Sequence, residues 1–256
     1  FGMVMQNKEI CLELINRALP HLKATQIVQL TTQKDINVVA GRRVRYDVYV
    51  QDEDGNIIVI EMQVADRQNL PYRLRYCQEQ IDHGLLLPGK DYRDLSLHPT
   101  YVLMFCDFDY FGYGWARYVF EMACTCNHQL KLGDQRTVVI FNALAKEFTK
   151  DEQPIKDFLA LMRNRVDNKS KFITKIQDEI IKIKQEPERR RGFMKFELDL
   201  MDARREEREE SKQKLVKFLA SQKTAPSEIV AALVNVYQMP EKTAREYVAE
   251  HVKTPK

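Results

Sequence analysis

The chain has 256 residues, 40 Lys and Arg against 37 Asp and Glu, and a formal net charge of +3. That length suits one or two domains with a full hydrophobic core, and the 44% hydrophobic and 30% charged content excludes a chain that is disordered throughout. Nine Gly and nine Pro exclude collagen-like or linker-like chains, and no apolar run approaches the ~18–20 residues of a membrane span.

Lys8 to Leu19 reads as an amphipathic helix, with Ile10, Leu14 and Ala18 on one row and Cys11, Ile15 and Leu19 on the next, stopped by Pro20. Gln26–Leu30 is a short strand candidate. Arg43–Val50 alternates, with Val44, Tyr46, Val48 and Val50 on one face and Arg45, Asp47 and Tyr49 on the other. Turn-forming residues fill 51–56, and Ile57–Val64 alternates again, so the two segments form a hairpin. Arg67–Leu87 is helical, with Leu70, Leu74, Cys77 and Ile81 as its apolar stripe and Pro88-Gly89 as its stop. Thr100–Phe108 is nearly continuous in apolar residues, the composition of a strand buried on both faces. Val119–Cys124 and Thr137–Asn142 are two further strands. Beyond Pro154 the pattern is helical: Ile155–Arg163, Phe172–Lys184, Phe193–Leu219, Pro226–Tyr237 and a last helix opened by Pro240. The expected architecture is α/β, a mixed central sheet flanked by helices at about 1–165, followed by a helical C-terminal region at 166–256.

Charge divides weakly between these parts: 20 Lys/Arg against 21 Asp/Glu up to residue 165, then 20 against 16. The basic excess is too thin to establish a nucleic-acid partner. The first residues show no basic segment ahead of an apolar run, and the five cysteines form no CxxC pair, so a reducing, cytoplasmic setting is expected.

The chemistry concentrates on the hairpin. With a three-residue loop Glu53-Asp54-Gly55, Gly55 takes the left-handed position and Asp47 falls opposite Glu61, with Gln63 on the same face. A two-residue Asp54-Gly55 turn would instead set Asp47 opposite Met62 and separate the two carboxylates. Directly opposed carboxylates repel, so stability alone disfavours them. A divalent cation removes the conflict. The oxygens of Asp47, Glu61 and the Met62 carbonyl, with waters, suit Mg²⁺ or Mn²⁺, which activates water and clamps a phosphodiester. Gln63 is placed to orient that water and carries no charge. The bland alternative is a solvated face of an amphipathic hairpin.

Asp47, thirteen intervening residues, then Glu61-Met62-Gln63 resembles the Asp…(Asp/Glu)-x-Lys motif of PD-(D/E)XK nucleases. More closely, the chain resembles the recombination-promoting nuclease/transposase family within that superfamily. The likeness runs through Phe1-Gly2, Val44-Arg45-Tyr46-Asp47-Val48, Asp54-Gly55, Val59-Ile60, Arg73 with Tyr76, and Gly89-Lys90-Asp91-Tyr92 leading to Pro99-Thr100-Tyr101. It covers roughly residues 1–150. The resemblance implies a restriction-endonuclease-like fold and a metal-dependent DNA endonuclease acting in recombination or on mobile elements. It makes Asp47 and Glu61 metal ligands and puts Gln63 in the lysine position. It also implies an acidic contribution from the first helix, Glu9 or Glu13, with Arg73 supplying the cation that Gln63 lacks. A homodimer is expected where both DNA strands are cut.

Two other readings stand beside it. One is a nuclease scaffold retained as a DNA- or protein-binding module, favoured by Gln63. The other is an interaction protein pairing through residues 193–219. Cys124, Cys126 and His128, at period two, are expected on one strand face, which cannot enclose a metal alone. Tyr110, Phe111, Tyr113 and Trp115 with Gly112 and Gly114 form an aromatic loop, read as loop or core packing with base stacking as the functional alternative. Arg189-Arg190-Arg191 reads as a solvated charge run.

Overall fold

The computed structural model describes residues 1–36, 44–86, 88–166, 170–187, 209, 211–222 and 224–251. Two compact units emerge, Phe1–Glu186 and Pro187–Lys256.

The first unit is built on a six-stranded mixed sheet in the order β1-β2-β3-β4-β8-β5. Its strands are β1 (Ile27–Ile36), β2 (Val44–Asp52), β3 (Ile57–Gln63), β4 (Thr100–Cys106), β5 (Arg117–Phe120) and β8 (Arg136–Asn142). β1–β2 and β2–β3 are antiparallel, β3–β4 and β4–β8 parallel, and β5–β8 antiparallel. The centre is therefore parallel and dry on both faces, which accounts for the unbroken apolar run of β4.

One face is covered by α1 (Gly2–Met5), α2 (Lys8–Ala18), α4 (Gln153–Met162) and α5 (Lys171–Gln185). Its core holds Leu14, Ile15, Val48, Val50, Ile58, Ile60, Leu103, Phe105, Phe141, Phe158 and Phe172. The other face takes α3 (Leu70–Leu85) through Leu70, Leu74, Cys77 and Ile81 against Val59, Val102, Met104, Tyr118 and Ile140. The Asn7 side chain caps α2, accepting from the N–H groups of Glu9 and Ile10. α5, expected in the C-terminal region, packs into this first unit.

The hairpin loop is the three-residue one. Asp52 N–H reaches the Asn56 carbonyl at 3.2 Å, and Gly55 has φ +85°. The buried Asp52 carboxylate ties the loop by accepting from the N–H groups of Asp54 and Asn56 and from the Asn56 amide. Pairing then runs Gln51↔Ile57, Val50↔Ile58, Tyr49↔Val59 and Val48↔Ile60.

Three local expectations are corrected. β1 extends to Ile36 rather than ending at Leu30, through a polar stretch suited to a sheet edge. Tyr46 does not share the face of Val48 and Val50. It lies in the α3-side core with Tyr49, and its hydroxyl donates to the Cys77 carbonyl at 2.7 Å. The β1–β2 ladder skips the Gln33–Asp47 pair, and Gln33 has φ +52°, beside the point where the alternation fails. Finally, Val119–Cys124 is not one strand. β5 stops at Phe120, and β6 (Ala123–Cys124) turns back into β7 (Asn127–Lys131) as a separate ribbon. Cys124, Cys126 and His128 accordingly sit in a strand, a turn and the return strand, not on one face.

The second unit packs α6 (residues 211–221), α7 (Pro226–Tyr237) and α8 (Glu241–His251) around Val216, Ile229, Leu233, Ala244 and Val248. Pro226 starts α7 and Gln238, at φ +53°, ends it. Of the helix expected at Phe193–Leu219, residues 193–208 and 210 lie outside the described residues, as does the run Arg189–Arg191. Among the described residues, no helix is long and apolar enough to cross a membrane.

Candidate active site

β3 carries Glu61, Met62 and Gln63 at its C-terminal end, where the parallel strands finish. The backbone ladder between β2 and β3 stops at Val48↔Ile60. The next position in register sets Asp47 across from Glu61, and there side chains replace backbone partners. Asp47 N–H donates to Glu61 Oε1 at 3.0 Å, and Met62 N–H donates to Asp47 Oδ2 at 3.1 Å. The carboxylates thus cross between the strands, each capping the opposite strand's open N–H, instead of standing side by side on one face.

Ile57 N–H bonds the Pro99 carbonyl, and the Gln63 carbonyl accepts from Asp107 N–H. The odd-numbered residues of β3 therefore turn their backbone groups to β4 and the even-numbered ones to β2. The Met62 carbonyl points to the Asp47 side.

Glu61 is wholly buried, and Asp47 is partly so. Burial, then the neighbouring Asp47 charge, pushes the Glu61 carboxyl up to about 7. Burial also raises Asp47, against the pull of the Met62 N–H and the Arg73 charge. The pair is short of positive charge, and Arg73 answers it at Glu61. Arg73, near the start of α3, contacts Glu61 Oε2 through Nη2 and donates from Nη1 to Gln63 Oε1 at 3.3 Å. The Gln63 amide nitrogen donates to the Ala65 carbonyl at 2.9 Å. Gln63 is therefore held at both ends, with one acceptor and one donor position still open.

The first-helix acids do not join this group. Glu13 is engaged by Arg17 at 2.8 Å and Lys175 at 3.3 Å, and Glu9 is exposed. Both line an open groove with Arg17, Pro154 and Lys175. Sequence reasoning missed Tyr46, whose hydroxyl anchors β2 to α3 directly beside Asp47. Its signal was a phenol in a row of valines, since a buried hydroxyl needs an acceptor. Gly2 was seen only as part of the motif text. A Cβ there would come within 3.3 Å of the Asp47 carbonyl, so α1 packs tightly on the residue that carries the carboxylate.

Among the described residues, no three Asp, Glu, His or Cys side chains gather as a metal-holding group. The donor set is two carboxylates and a carbonyl, all hard oxygens, and Asp47 accepts from Met62 N–H through Oδ2. That set fits a hard divalent ion that keeps several waters. It does not fit zinc in a closed structural site.

A family model for PD-(D/E)XK nuclease family transposases matches residues 1–218. The chain belongs to this family. No curated protein and no solved structure matches it. The matched residues include the mixed six-stranded sheet and the strands that carry Asp47 and Glu61. The match runs past the first compact unit to residue 218.

Proposed function

We propose that the chain is a Mg²⁺- or Mn²⁺-dependent endonuclease that hydrolyses phosphodiester bonds in DNA. The observation that carries the reading is the crossed pair: two carboxylates forced together at the end of a buried sheet against their mutual repulsion. Asp47, Glu61 and the Met62 carbonyl would hold the ion. Bound there, a divalent ion lowers the pKa of water and offsets charge on the phosphate.

The chain's own groups do the rest. Gln63 offers its free N–H and lone pair to orient the attacking water. Arg73, fixed by Gln63, stands where the lysine of the motif is missing and stabilises the charge on the phosphate as the new P–O bond forms and the ester bond breaks. The setting in recombination or on mobile elements, a homodimer for cutting both strands, and a nuclease domain centred on the first unit belong to the same proposal.

Plasmid nicking with Mg²⁺ or Mn²⁺ tests it. The wild type nicks, Asp47→Ala does not, and Arg73→Ala is slower by roughly a hundredfold, the usual cost of one charge-stabilising donor. Equal nicking by wild type and Asp47→Ala removes the proposal. A second reading has one observation in its favour: Arg73 and the Asp47 N–H already satisfy Glu61 without a metal. On that reading the scaffold binds DNA or protein without cutting. Calorimetry separates the two, because heat of Mn²⁺ binding that Asp47→Ala abolishes belongs only to the nuclease.

A further inference from the structure

The loop from β4 to β5 sorts its aromatic residues. Phe111 turns inward, with its ring 4.9 Å from Tyr118 and 5.3 Å from Phe120. Tyr113 and Trp115 turn outward, 70% and 60% exposed. They stack on each other at 5.3 Å and 28°, and Trp115 stacks on Tyr118 at 5.5 Å. Such a column is not the product of a loose loop. Asp109 accepts from Gly114 N–H at 2.7 Å and from the Tyr118 hydroxyl at 2.7 Å, while Gly112 and Gly114 take left-handed φ of +75° and +74°. The exposed rings are held in place before any partner arrives, so little ordering entropy opposes binding.

The column stands at the same end and on the same face of the sheet as the carboxylate pair. Gln63 is in register with Cys106, and Cys106 with Asn142. The Asn142 side chain donates to the Trp115 carbonyl at 3.1 Å. Tyr118 lies in the α3-side core, as do Ile57 and Val59, which share the face of Glu61 and Gln63. Three strand spacings of about 4.8 Å separate Gln63 from Trp115, so about 15 Å.

We propose that Tyr113 and Trp115 form a stacking platform for unpaired nucleobases of a single DNA strand, three strands across the sheet from the site at Asp47 and Glu61. This rests on the nuclease reading. Stacked rings accept any base face, so the platform selects single-stranded character rather than sequence. The preferred substrate is then DNA with a frayed or single-stranded segment.

Trp115 is the sole tryptophan, so its fluorescence reports the platform directly. The full-length Asp47→Asn chain is titrated with a single-stranded 12-mer, the same strand with abasic sites, and the blunt duplex. Saturable quenching by the intact strand is expected, and little by the abasic strand or the duplex. Anisotropy of a labelled 12-mer should show Trp115→Ala and Tyr113→Ala weakening binding on the order of tenfold, with Trp115→Phe restoring it. Equal binding of the abasic strand, or no quenching, overturns the platform. So does a protein-concentration-dependent shift of Trp115 emission without DNA, which would mean that a second copy covers the rings. The nuclease reading fails separately, by Asp47-independent nicking, so the two failures are told apart.

Discussion

Glu61 is a buried carboxyl whose protonation is linked to folding, and Glu61→Gln isolates that link. Its ordinary value is 4.5, and in the fold burial and the Asp47 charge push it up to about 7. A carboxyl raised on folding keeps its proton in the native state over that window while the unfolded chain has lost it. Stability therefore falls as pH rises from about 4.5 to about 7, and the loss is complete above that. At about 1.4 kcal/mol per pH unit, the interval corresponds to on the order of 3 kcal/mol. The two carboxyls titrate together, so removing Glu61 also releases Asp47, and the variant reports the pair. Glu61→Gln gives up an ion pair with Arg73, a loss felt mainly where Glu61 is ionised; that loss opposes the gain and is already contained in the value near 7. Urea unfolding at pH 5 and pH 8 without divalent ions is the assay. The wild type should lose about 3 kcal/mol more than Glu61→Gln between the two. Parallel pH profiles would refute the claim that the pair is held in the fold against its own charge.

Gly55→Ala should lower stability by about 1–2 kcal/mol from the left-handed backbone alone, and by more from contact, since the new Cβ would lie 2.6 Å from the Leu97 carbonyl. A shift in urea midpoint reads it, and an unchanged midpoint would mean that the loop does not need its left-handed residue. Burial pushes the thiols of Cys11, Cys77 and Cys106 up to about 12, while backbone N–H groups lower that of Cys124. Brief alkylation of the native chain followed by peptide mass spectrometry should label Cys124 and the exposed Cys126 and spare the other three until urea is added.

What was legible in the sequence depended on local rules. The glycine at 55 demands a left-handed position, that position fixes a three-residue loop, and the loop fixes which residues face each other eight positions away. Helix α3 was readable from its four-residue stripe, and β4 from its lack of any polar residue between Tyr101 and Cys106. What was not legible came from distant partners. Glu13 pairs locally with Arg17, but its second partner, Lys175, lies 162 residues on. β7 has all five residues exposed, and alternation carries no signal where no face is buried. The face of Tyr46 goes with its bond to the Cys77 carbonyl on α3, 31 residues on, which no window around residue 46 contains.

Several irregular features converge on one place. The skipped ladder pair, the left-handed Gln33, the inward Tyr46 and the two crossed carboxylates all meet at Asp47. Each breaks a rule that the rest of the sheet obeys: ladders pair through backbone, strands alternate, like charges avoid each other. Conflicts of this kind are retained where the site has work other than stability. The fold answers with supports on each side: Gly2 against the Asp47 carbonyl, Tyr46 bonded to α3, and Arg73 spanning Glu61 and Gln63. A solvated hairpin face would need none of them, because water would screen the carboxylates without help. The concentration of strain and support around two acids is the physical reason to read this end of the sheet as the working one.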